Sequence, residues 1–132
     1  MFDHHQQALQ MATVALNQAT TTPVRTLAAK MIAGQQLESG RFLQFLDDRG
    51  RAPGQPGRTV MGWMGTPVPY AEMPGLATPE ELVALTNAAG TDADRRFLDL
   101  MIRHHRGGIH IAEHEAAHGA NEGLRDLAAR MV

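Results

Sequence analysis

The sequence predicts an all-α protein: four principal helices, paired as two hairpins, in a bundle with one long crossover. Three observations predict it. Apolar residues recur at helical spacing over long stretches. Residues 1–32 and 101–132 align without a gap and share nine identities. Unrelated segments of that length would share about two. Between the copies, residues 50–77 hold six glycines and five prolines, too many helix breakers for either hairpin to continue.

The first helix runs from residue 1 to about 18, with a stripe at 1, 2, 5, 8, 9, 12 and 16. Thr22-Pro23 reads as a cap followed by proline at the first helical position. The second helix extends from there to about Asp48, with 27, 31, 34, 38, 42, 45 and 46 on one face, and Gly50 ends it. Thr78-Pro79-Glu80-Glu81 is a capping box that opens a short helix stopping near Gly90. Thr91-Asp92-Ala93-Asp94 opens a long helix that closes at Gly119, and a last helix begins near Asn121. The expected organisation is a single domain over 1–132, with hairpins at 1–49 and 92–132 and a crossover at 50–91. Met1 falls inside an amphipathic pattern, so a segment is expected to precede it. The first copy continues beyond Ile32, the counterpart of Val132. The last helix is therefore expected to continue, with a Gln-x-x-Glu in the places of Gln35 and Glu38.

Composition narrows the function. With 43% hydrophobic and 20% charged residues, the chain suits a soluble globular domain. A net charge of -2 gives no electrostatic case for nucleic acid or an anionic membrane. No apolar run approaches a membrane span, and no signal peptide is present. There is no cysteine, which removes disulfides, thiol catalysis and thiolate metal sites. Eight methionines are many for this length and read either as adaptable core filler or as soft metal ligands.

The histidines carry the chemistry. Each copy holds a His-His pair, His4-His5 and His104-His105. At about 100° per residue, His5 and His105 fall on the apolar stripe, with His4 and His104 at its edge. Gln35 and Glu38 fall on the stripe of the second helix. A carboxylate there costs several kcal/mol of desolvation unless a cation or good donors meet it. The bundle should bring His5, His105 and Glu38 together, with Met1, Met31, Met101 and Met131 nearby. Imidazole with thioether suits copper; imidazole with carboxylate suits zinc, iron or other divalent ions. A purely structural His–Glu hydrogen bond with methionines as core is the alternative.

His114-Glu115-Ala116-Ala117-His118 is a literal HExxH, the helical spacing of zinc proteases. By the same arithmetic His110, His114 and His118 lie at about 140°, 180° and 220° from His105, away from the core stripe. No histidine follows His118 to complete such a site, and the first copy has Gln10, Val14 and Gln18 in these places. Glu115-x-x-His118 also matches di-iron bundles, which need a second copy that is absent. A solvated face is the first reading here. An auxiliary surface metal site at His110, His114 and His118 is the second.

Phe97-Leu98-x-x-Met101-Ile102-x-His104-His105-x-Gly107-Gly108-Ile109-x-Ile111-Ala112 resembles the signature of the Domain of Unknown Function family 305. Met1-Phe2-x-His4-His5-x-x-Ala8-x-x-Met11-Ala12 is similar to it, and Met73-Pro74-Gly75-Leu76 fits the family's middle region. The resemblance implies a ferritin-like four-helix bundle in secreted or membrane-anchored bacterial proteins, some linked to copper binding and tolerance. It carries His4, His5, Gln35, Glu38, His104 and His105 as matching positions. Leu76 and Ile111 depart from it, since methionine is frequent there.

The expectation is an extracytoplasmic, non-enzymatic metal-binding bundle, with copper first and zinc or iron behind it, and homo-oligomer formation left open. A structural or interaction module with a buried His–Glu network is the alternative. A metal-dependent enzyme, either a di-iron-like oxidase or an HExxH hydrolase, comes third.

Overall fold

The computed structural model describes residues 1–54 and 57–132. Five α-helices stand among them: α1 (Phe2–Gln18), α2 (Thr22–Asp47), α3 (Pro79–Asn87), α4 (Gly90–His118) and α5 (Glu122–Ala129). The chain is all-α apart from one tiny sheet, as the sequence predicts.

The ends of the helices follow local chemistry with two corrections. The cap of α2 is Thr21, not Thr22, and its hydroxyl makes no capping bond. Asp94 of α4 accepts instead from the backbone N–H groups of Thr20 and Thr21 at 2.9 and 3.2 Å, tying the α1–α2 turn to α4. At the other end Gly50 adopts φ +59° and Arg51 N–H returns to the Leu46 carbonyl at 2.9 Å, the left-handed exit that glycine permits. The α3 box forms as expected: Thr78 Oγ1 accepts from Glu81 N–H, and Glu81 Oε2 accepts from Thr78 N–H. That helix stops at Asn87, earlier than expected, and α4 starts at Gly90 rather than at Thr91.

The crossover is more ordered than its composition suggests. Strands β1 (Thr59–Val60) and β2 (Val68–Pro69) pair antiparallel, and short 3-10 turns cover Gly62–Met64 and Tyr70–Glu72. Met61 is buried at φ +62°, a backbone state that costs a non-glycine residue about 1–3 kcal/mol. The packing around it holds it there.

Helix α1 lies against α2 and α4; α5 lies on α4, and α3 touches both α1 and α4. Small residues at the crossings, Ala8, Ala12, Ala15 and Ala28, let the helices approach, and Met11, Leu85 and Phe97 fill the space between them. A separate cluster gathers Met61, Met73 and Ile111, with Met1, Met64 and Leu76 packed against it, under the crossover. In α2 only Val24, Ala28 and Ser39 are buried. Phe42, Phe45 and Leu46 of its expected stripe are half-buried.

Candidate metal centre

The histidines of the two copies meet where α1 crosses α4. His4 and His104 are 2% and 1% exposed, and their rings lie 3.6 Å apart, centre to centre. His5 is also buried, whereas His105 is exposed, its ring 6.3 Å from that of His104. Sequence geometry placed His105 on the core stripe and His104 at its edge; the structure exchanges them. The buried face of α4 runs through Ala93, Phe97, Leu100, Met101, His104, Gly107 and Ile111. It is centred one position away from His105 because the crossover, as well as α1, covers that helix. At Gly107 a Cβ would lie 2.1 Å from the Pro74 carbonyl oxygen, and at Gly75, with φ +86°, it would lie 2.8 Å from that of His104. Only glycine at both positions permits this close contact of main chains.

That contact sets the protonation of the rings. His4 Nε2 lies 3.2 Å from the Pro74 carbonyl oxygen, and His104 Nε2 lies 2.9 Å from that of His4. A carbonyl oxygen can only accept, so each Nε2 carries the proton and donates. His5 Nε2 stands 2.6 Å from Glu38 Oε2 and donates to the carboxylate in the same way. Burial holds His4 down to about 3, with the neighbouring His104 adding to it, and holds His104 down to about 4. Burial also lowers His5, against the opposing pull of Glu38. All three rings are therefore neutral at pH 7, and each Nδ1 presents a bare lone pair.

Two of those lone pairs have no partner within the protein. His5 Nδ1 and His104 Nδ1 are buried without a hydrogen bond, as is the amide oxygen of Gln35. Orphaned polar atoms in a buried site call for a physical explanation. All three side chains line one cleft of about 350 Å³, together with Met1, His4, Glu38, His105, Gly108, Ile109 and Met131. Imidazole nitrogen, amide oxygen and two thioethers are thus within one space. Among the described residues no three His, Asp or Glu side chains are grouped so as to hold an ion by themselves. A bound ion needs Gln35 or a methionine as well.

Ring geometry divides the histidines further. Two imidazoles bound side by side to one ion through bonds of about 2.1 Å place their ring centres about 4.5–5.2 Å apart. His4 and His104, at 3.6 Å, are too close to share an ion in that way. His4 therefore fits a supporting role, stacked on His104 and fixed by Pro74. Glu38 fits the carboxylate that orients and polarises a ligating imidazole from behind.

Two expected neighbours stand elsewhere. Met101 is buried in the main apolar core, and Met31 packs against that core, a helical turn away from the cleft. The Pro74 carbonyl was not visible as a site element in the sequence, because a main-chain acceptor leaves no residue signature. On the far face of α4, His110 and His118 are exposed, as the helical arithmetic requires, but His114 is half-buried. Its ring meets that of Trp63 at 5.1 Å and that of His118 at 4.7 Å.

Comparison with known proteins agrees with this architecture. A family described as Domain of unknown function (DUF305) matches residues 1–132. Among curated proteins none matches. A solved DUF305 protein from Streptomyces coelicolor, described as secreted by inference, shares 31% identity at a TM-score of 0.89, over 99% of this chain and 77% of its own. A DUF305 fragment from Deinococcus radiodurans shares 30% at 0.82, over 100% of this chain and 80% of its own. CopM in a Cu(I)-bound form shares 25% at 0.68, over 99% and 79%.

Proposed function

The chain belongs to the DUF305 family, and from that premise we propose that it is a non-enzymatic, extracytoplasmic protein that binds copper, as Cu(I), in the α1–α4 cleft. His5 and His104 supply Nδ1, and Met131 and Met1 supply thioether sulfur. Gln35 closes the shell, and exposed His105 guards the rim. Soft thioethers beside imidazoles favour Cu(I) over zinc or calcium. The observation that carries the reading is the pair of unpartnered Nδ1 atoms, each fixed as a lone pair by what its Nε2 donates to. A similar protein solved with Cu(I), and a similar one described as secreted, lend support. No helix among the described residues is long and apolar enough to cross a membrane.

One observation favours a structural share for part of the cluster. The stacked His4–His104 pair and its two carbonyl bonds knit α1, α4 and the crossover whether or not metal is present. The two roles separate by experiment. Anaerobic Cu(I) titration against a chromophoric chelator should show one equivalent bound by wild type. His5→Ala and Met131→Ala should each weaken it at least about tenfold, the loss of about 1.4 kcal/mol. Copper should also raise the melting temperature, as ligand linkage requires. Unchanged affinity in both variants would leave the cluster with a structural role only.

A further inference from the structure

The far face of α4 holds a second feature that the cleft does not use. We propose that His114 and His118 form a separate, solvent-open site for a divalent first-row cation, Cu(II) foremost. Their rings stand one helical turn apart with centres 4.7 Å apart. That lies inside the range of about 4.5–5.2 Å for two imidazoles side by side on one ion. The His4–His104 stack fails the same test.

Two features separate this pair from an ordinary solvated face. Trp63 sits against His114 at 5.1 Å between ring centres, and its neighbours Met61 and Met64 anchor that turn in the cluster around Ile111, one turn before His114. The His114 ring is therefore held in place, which lowers the ordering cost of binding. His118 is the last residue of α4, where the unpaired carbonyls of the helix end favour a cation. The donors are imidazole and water, with no sulfur. Borderline nitrogen donors open to solvent suit divalent ions, with Cu(II) at the top of the affinity order. Two protein ligands leave coordination positions free, so the ion should exchange readily. This site stands independently of the cleft reading and differs from it in metal oxidation state.

Trp63 is the chain's one tryptophan and so reports on this site. Copper(II) chloride is titrated into wild type, His118→Gln, His110→Gln and the cleft variant His5→Ala/Met131→Ala, with Trp63 fluorescence as the readout. Wild type, His110→Gln and the cleft variant should show saturable quenching at one equivalent. His118→Gln, a change at an exposed position, should shift the midpoint at least about tenfold. Unsaturable quenching in wild type, or a His118→Gln curve that matches it, overturns the proposal. So does loss of quenching in the cleft variant, which would place the ion in the cleft, or in His110→Gln, which would move the site one turn back. Because the cleft is read by Cu(I) affinity and this site by Cu(II) quenching, either can fail alone.

Discussion

His104 sits almost wholly inside the protein, at 1% exposure, and is held neutral there. Its proton affinity and that of His4 fall below the ordinary value of about 6.5 because burial disfavours the imidazolium. The unfolded chain therefore binds more protons than the folded one between that value and about 4 to 3. The stability these rings contribute is complete above about pH 6.5 and is lost progressively as pH falls toward their folded values. The melting temperature of the metal-free protein should drop steadily from pH 7 to pH 4. A flat profile across that range would contradict the neutral, enclosed pair. Residue identity alone announced these histidines, through two His-His pairs in register one hundred positions apart. It did not announce which member of each pair faces inward. In α1 both are buried; in α4 only His104 is. The difference lies in what covers each helix, and no helical wheel contains that.

At the scale of elements, the crossover is the part that its sequence described least. Its composition indicated a long irregular crossover, and Met73-Pro74-Gly75-Leu76 matched the family pattern, but neither told which of its atoms would meet the histidines. Gln7 of α1 grips its end with a two-way amide bond, donating to the Ala77 carbonyl at 2.9 Å and accepting from Ala77 N–H at 2.7 Å. Gly107 opposite Pro74 lets it lie on α4. Gln7→Ala leaves a buried peptide group unpaired and should cost about 1–3 kcal/mol in urea unfolding. Gly107→Ala forces its new methyl against a main-chain oxygen and should cost about 1–3 kcal/mol as well. It should also weaken the His4–Pro74 bond, visible as a change in the His4 tautomer signals by nitrogen NMR. Unchanged tautomer signals would mean that Pro74 does not fix that ring. The helices were legible for the opposite reason. Their signals are local: the Thr78–Glu81 box and Gly50 act within a few residues, and both formed as read. At α2, where the distant carboxylate of Asp94 holds the backbone of Thr20 and Thr21, local reading placed the cap one residue late.

Across the whole molecule, the two hairpins bring chemistry together that neither holds alone. The first provides His5, Gln35 and Glu38; the second provides His104 and Met131; Met1 lies between the cleft and the methionine cluster under the crossover. The repeat in the sequence pointed to a meeting of the two histidine pairs, but with His105 rather than His104 facing inward. Met31 of α2 and Met101 of α4 stand apart from it, in and against the main apolar core. X-ray absorption of copper in the Cu(I)-loaded protein carrying His114→Ala/His118→Ala reads the donors of the cleft alone. The expected result is a mixed shell of imidazole nitrogen and thioether sulfur that loses sulfur in an added Met131→Ala. A shell of nitrogen and oxygen alone, or one unchanged by Met131→Ala, would contradict it.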